Sequence, residues 1–140
     1  MFSRLYGFLA SGRRQWYAAR PEFQKRLRRP VISVGALAVG GSGKTPVAAE
    51  VANILVSMGE SPAILSRGYG RVNPLEGVVV VSNRGEVQAG LPEAGDESFM
   101  LARRLRNVSV LVAEDRYLAG RLAETQLGTT VHVLDDGFQH

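Results

Sequence analysis

Apolar residues first recur at helical spacing near the N-terminus, where Phe2, Leu5, Tyr6, Leu9, Trp16 and Tyr17 share one side of a helix expected over residues 2–19 and ended by Pro21. Arg13 and Arg20 project into the same side. That suits a helix at a lipid–water interface whose arginines reach up to headgroups; a helix packed on its own domain is the alternative. From Val31 the pattern changes to short β-rich runs separated by helical stretches. Strands are predicted at Val31–Gly35, Ala63–Ser66, Val108–Val112 and Val131–Leu134, and helices at Lys44–Met58, Asp96–Arg106 and Glu114–Gln126. The first helix offers Val47, Val51, Ile54 and Leu55 as its apolar side; Pro46 fits its first turn, where the missing N–H costs nothing, and Gly59 stops it. Val78–Ser82 follows the second strand without room for a crossover helix, so it is expected in a hairpin or at an edge rather than in parallel pairing. The alternation predicts an α/β fold, a mostly parallel sheet flanked by helices, over residues 30–140, with residues 1–29 as a basic amphipathic arm and linker. Such a sheet usually has further strands, yet the last predicted one ends just before His140, so a missing C-terminal portion is expected.

Composition narrows the function classes. With 45% apolar and 21% charged residues over 140 positions, this is an ordinary globular chain of one domain, and wholesale disorder is excluded. The absence of cysteine removes disulfides, thiolate metal sites and cysteine nucleophiles. The longest apolar run, Val31 to Val39, is half of what a membrane-spanning helix needs and contains a glycine. The net charge of +4 is unevenly spread: residues 1–30 carry eight basic groups against Glu22, while the rest of the chain is mildly acidic. A basic arm on an acidic body points to an anionic surface as partner, either lipid headgroups or nucleic acid. The body has no nucleic-acid footprint, so the lipid surface is expected and a nucleic acid is not.

The strongest chemical signal is Gly40-Gly41-Ser42-Gly43-Lys44-Thr45, where a buried strand gives way to a helix. A phosphate-binding loop needs glycines so that successive N–H groups can turn inward onto phosphate oxygens, and the helix N-terminus adds partial positive charge. Lys44 would reach the β- and γ-phosphates and Thr45 would hold Mg²⁺ through its hydroxyl. The full pattern asks for glycine where this chain has Ala38, though Gly40 and Gly41 still permit a tight loop. The second signal is Val131 to Asp136, an apolar strand ending in two carboxylates, of which Asp135 is the candidate for the Mg²⁺ shell. Gly95-Asp96-Glu97 opens a helix, and by motif alone Asp96 reads as its N-cap. In Ser66-Arg67-Gly68-Tyr69-Gly70, Arg67 either pairs with a phosphate or lies in a plain turn. His132 is expected to face the core; Gln139 and His140 lie beyond the acidic pair, where a bound nucleotide would be within reach.

Together, and in this order, Pro30 to Gly35, Val39 to Pro46, Leu65 to Gly70, Gly95 to Glu97, Asp115-Arg116 and Leu134 to His140 resemble the tetraacyldisaccharide 4'-kinase family, the lipid A 4'-kinases of Gram-negative bacteria. The resemblance covers the whole chain but only the N-terminal two-fifths or so of a typical member. It implies a P-loop NTPase-like fold and transfer of the γ-phosphoryl of ATP to the 4'-hydroxyl of a lipid A disaccharide 1-phosphate precursor at the cytoplasmic face of the inner membrane. It also implies that Lys44 and Thr45 are the loop's lysine and threonine, that Asp135 and Asp136 are the acidic pair, and that Asp96 activates the acceptor hydroxyl. In the family that aspartate works with a histidine from the C-terminal half. Tyr69, Glu97, Arg67, Arg116, Gln139 and His140 are the candidates for substrate contact. Ala36 and Ala38 stand where the family tends to have Asn and Thr, so polar contacts there are not carried over. Three readings stay open: the lipid kinase, a truncated, non-catalytic nucleotide-binding module that docks on membranes, and, last, a nucleic-acid-associated NTPase that uses the basic arm.

Overall fold

The computed structural model describes residues 26–34, 44–67 and 77–135. In chain order these form β1 (Val31–Val34), α1 (Lys44–Ser57), β2 (Pro62–Ser66), β3 (Val79–Asn83), β4 (Glu86–Val87), α2 (Leu91–Ala94), α3 (Asp96–Arg104), β5 (Ser109–Val112), α4 (Arg116–Gln126) and β6 (Val131–Asp135). The helix expected over residues 2–19 lies outside the described residues.

The strands make one sheet in the order β1-β6-β2-β5-β3-β4. The pairs β1–β6, β6–β2 and β2–β5 are parallel, as the alternation of strands and helices predicts. β3 runs antiparallel to β5 and pairs with β4 in a hairpin, which bears out the expectation for Val78–Ser82. Its turn holds Arg84 and Gly85 at φ of 52° and 92°. Positive φ at both central residues matches the twist of a two-residue hairpin, and at Gly85 an added Cβ would also meet the backbone N of Asn107 at 3.1 Å. The register shifts between Val80 and Ser82.

Strand alternation divides the core between the two faces. Ile32, Val34, Ile64, Val110, Val112, Val131 and Val133 pack with α1 and α3 on one face. Val31, Ala63, Leu65, Leu111 and Leu134 pack with Ala119 and Ala123 of α4 on the other. Burying each aliphatic side chain of this size stabilises by roughly 1.5–3 kcal/mol.

Several boundaries are shorter than the sequence pattern predicts. α3 stops at Arg104 rather than Arg106, and Asn107 then sits at φ 62° in the turn to β5. α4 starts at Arg116 rather than Glu114 because Asp115 caps it. α1 ends at Ser57, and Val108 precedes β5. The inner face of α1 is also revised: Ala48 and Ala52 are fully buried, whereas Val47 is 48% exposed. Alanines let a helix lie close to a sheet, so the seam runs through them and turns Val47 outward.

Candidate active site

Helices that connect parallel strands run opposite to them. The N-termini of α1, α3 and α4 therefore gather at the carboxyl edge of the sheet, where β6 delivers Asp135. This is the edge outside which α/β sheets bind their ligands.

Two strands define the centre of that edge. Val34, the last residue of β1, pairs in register with Asp135, the last residue of β6. Neighbouring strands lie about 4.8 Å apart, so Asp135 stands one strand away from the point where the chain enters segment 35–43. That segment ends where α1 begins, at Lys44. Alternation then sets the direction of Asp135. Val131 and Val133 face α1, and Asp135, two residues on, shares their side. The acid thus belongs to the face that carries α1, and it is only 1% exposed.

The charges at the three helix ends differ. α1 has no acidic residue in its first turn, so the partial positive charge and orphan N–H groups of its N-terminus are available to an anion. α3 carries Asp96 and Glu97 in its first turn. The N-cap of α3 is Gly95, at φ 87° and ψ 160° and making no side-chain cap bond. The expectation that Asp96 is the cap is therefore overturned: it occupies the first helical position and is exposed. Few residues other than glycine tolerate that backbone conformation, so the cap falls one residue earlier and Asp96 is left facing solvent at the carboxyl edge. The cap that does form is at α4, where Asp115 Oδ1 accepts from the N–H groups of Tyr117 at 3.0 Å and Leu118 at 3.4 Å.

α1 and α3 touch each other on one face, which places Lys44 and Asp96 at neighbouring helix N-termini on the side toward which Asp135 points. Arg67 follows β2, the other neighbour of β6, at the same edge. Arg116 opens α4 and so belongs to the opposite face; it is the candidate the fold sets apart. Gly40, Gly41, Ser42, Gly43, Tyr69, Asp136, Gln139 and His140 lie outside the described residues. Among the described residues no three His, Asp or Glu side chains cluster as a metal site. The donors available to a divalent cation are the Asp135 carboxylate and, from the sequence, the hydroxyl of Thr45 in the first turn of α1. One or two hard oxygens of this kind fit magnesium, which takes its remaining ligands from phosphates and water.

One polar cluster has no clear signal in the sequence. His132 is fully buried, as expected of a core histidine, but it faces α4 and its Nε2 lies 2.7 Å from Glu124 Oε2. Glu124 also accepts the backbone N–H groups of Arg28 at 3.2 Å and Arg29 at 2.8 Å. Burial pushes the imidazole below its usual pKa, against the upward pull of Glu124, so the neutral ring donates from Nε2. Burial acts to raise the Glu124 carboxyl, yet the bonds from His132, Arg29 and Arg28 prevail and hold it below its usual value. Only the tertiary structure brings these groups together.

A family model described as "LpxK: Tetraacyldisaccharide-1-P 4'-kinase" matches residues 1–140. A tetraacyldisaccharide 4'-kinase of Pelobacter propionicus is 46% identical over 140 residues, covering 99% of this chain and 38% of the relative. One of Geobacter metallireducens is 49% identical over 117 residues, covering 83% of this chain and 34% of the relative. Among solved structures, the crystal structure of "apo" form LpxK from Aquifex aeolicus in complex with ATP matches with a TM-score of 0.75 at 44% identity, covering 99% of this chain and 43% of that one. The chain thus spans about two-fifths of the length of the relatives it matches.

Proposed function

The chain belongs to the tetraacyldisaccharide 4'-kinase family, and from that premise we propose that its carboxyl edge is the ATP-binding half of a lipid kinase acting on a tetraacyldisaccharide 1-phosphate. The observation that carries this reading is the register of Val34 with Asp135, which sets a strand-end acid one strand away from the point where the chain leaves β1 on its way to α1. A solved relative of the same fold is in complex with ATP.

In this reading the N–H groups of residues 40–45 and the N-terminus of α1 bind the phosphates, and the Lys44 ammonium neutralises charge between the β- and γ-positions. Magnesium, held by Thr45 and Asp135 and backed by Asp136, would offset the charge that builds on the phosphate oxygens. Asp96 orients the acceptor 4'-hydroxyl and takes its proton as the oxygen bonds to the γ-phosphorus, while the bond from that phosphorus to ADP breaks. A lone aspartate is a weak base toward a sugar hydroxyl, so Asp96 works with a partner or chiefly by orientation. Arg67, Tyr69, Glu97, Gln139 and His140 are assigned to substrate contact, and Arg116, on the α4 face, is not. The basic arm meets an anionic bilayer, the cytoplasmic face of the inner membrane, and no nucleic acid is involved. Among the described residues no helix is long and apolar enough to cross a membrane.

The test is transfer of label from γ-labelled ATP to a tetraacyldisaccharide 1-phosphate in detergent or vesicles, using the full-length protein and the 140-residue chain. The reading predicts labelled lipid from the full-length protein. ATP binding with no labelled lipid from either form would favour the second reading, a non-catalytic nucleotide-binding module, which the two-fifths span motivates.

A further inference from the structure

At the carboxyl edge, four neighbouring strands contribute to one row of side chains. Val34 of β1 pairs with Asp135 of β6, and Ser66 of β2 pairs with Val112 of β5. β2 and β6 are themselves neighbours, and Leu65 paired with Leu134 is the rung before their last residues, Ser66 and Asp135. Ser66 and Asp135 therefore end adjacent parallel strands about 4.8 Å apart. They also share a face. Val34 and Val112 pack with α1 and α3, and so do Ile64 and Val133, two residues back on β2 and β6; alternation sends Ser66 and Asp135 the same way. Across the sheet the row reads Val34, Asp135, Ser66, Val112, and all four residues are buried. The row two residues nearer the amino edge is Ile32, Val133, Ile64 and Val110, which is wholly aliphatic.

Packing alone does not call for a hydroxyl in such a row, whereas the acid beside it does. A buried ionised carboxylate is costly unless hydrogen-bond donors compensate it. Of the two rungs that flank Asp135, β1 offers the aliphatic Val34 and β2 the hydroxyl of Ser66. A serine O–H donating to a carboxylate makes a short, charge-assisted bond that occupies one oxygen and fixes the rotation of the group. The strand end that carries this hydroxyl is held as well, because Ala113 N–H donates to Ser66 O at 2.9 Å. We propose that Ser66 is a positioning residue for the magnesium acid: its hydroxyl donates to the Asp135 carboxylate and leaves the second oxygen for the cation that accompanies ATP. The juxtaposition of the two strand ends stands by itself; its meaning for magnesium rests on the lipid-kinase reading.

The test reads magnesium rather than turnover. ATP affinity of the full-length protein is measured across a magnesium titration, and with magnesium chelated, for the parent, Ser66→Ala, Ser66→Thr, Asp135→Asn and the double variant Ser66→Ala with Asp135→Asn. Ser66→Ala should raise the magnesium concentration that half-maximally tightens ATP by about 10-fold, the lower end of what losing a hydrogen bond behind a metal ligand costs. Its affinity in chelator should stay parental. Ser66→Thr keeps the hydroxyl and should follow the parent. In the Asp135→Asn background Ser66→Ala should add nothing, since a residue that acts through the carboxylate has lost its target. Parental magnesium dependence in Ser66→Ala overturns the proposal, as does an equal loss in the threonine variant or full additivity in the double variant. A matching loss in chelator would make Ser66 a packing residue and overturns it too. Parental magnesium dependence in Asp135→Asn alone overturns the metal reading, and this proposal with it, so that failure is seen separately from a failure at Ser66.

Discussion

Lys44 and Asp96 occupy the first positions of two adjoining helices, but they are assigned different roles and their removal should be distinguishable. Lys44→Ala is expected to weaken nucleotide binding, whereas Asp96→Ala should bind ATP as the parent does and lose phosphoryl transfer. ATP affinity and turnover measured in the full-length protein decide between them, and parental turnover by the Asp96 variant would contradict its role. The Glu124–His132 pair makes a prediction about acid. Both groups are shifted downward in the folded chain, so the unfolded chain binds protons more readily at each and stability rises with pH. The imidazole part is fully present above its unfolded value of about 6.5 and the carboxylate part above about 4.3; each is lost as pH falls through the folded value. Thermal unfolding midpoints should therefore drop as pH is lowered from 7.5 to 4.5, and the drop above pH 5 should flatten in His132→Asn. An unchanged profile in that variant would assign the acid sensitivity elsewhere.

At the scale of elements, the caps and seams divide into those the sequence shows and those it hides. Asp115→Ala should lower stability by about 1 kcal/mol, the usual loss for an N-cap that binds two N–H groups. Denaturant titration measures it, and a change below a few tenths would mean that the cap is redundant. Asp96→Ala should have a much smaller effect on unfolding, because Gly95 holds that cap. By motif Asp96 reads as the cap, whereas Asp115 falls inside a helix predicted from Glu114; the backbone of Gly95, which a propensity argument does not see, moves the first cap and Asp115 supplies the second. The parallel strands were legible because continuous apolar runs such as Val31–Val34 mark burial on both faces. The hairpin followed from chain length alone. The two-residue strand β4 and the four-residue helix α2 were not legible, since pieces so short carry no periodicity. The alanine seam of α1 was missed because hydrophobicity ranks Val47 above Ala48, while packing distance ranks them the other way.

At the scale of the molecule, charge and topology act together. The eight basic groups of residues 1–30 should bind vesicles containing anionic lipid more tightly than neutral ones, each group near the surface adding up to about 1 kcal/mol. Co-sedimentation should weaken with added salt, and equal affinity for neutral vesicles, or a preference for DNA, would contradict the lipid partner. The site was legible as a set of motifs, Gly40 to Thr45 and Leu134 to Asp136, but not as an arrangement. Adjacency of the two strands that carry them, and the shared face of Asp135 and α1, follow from the strand order β1-β6-β2. No local pattern encodes that order.

The central claim is that the chain at Lys44 and the acid at Asp135 meet on one nucleotide. The most direct measurement is equilibrium titration of ATP into the parent, Lys44→Ala and Asp135→Asn, with magnesium and with magnesium chelated. Lys44→Ala should weaken binding in both conditions by about 10- to 100-fold, the equivalent of a lost charge-assisted hydrogen bond. Asp135→Asn should weaken it only when magnesium is present. Parental affinity in both variants under both conditions would contradict the claim.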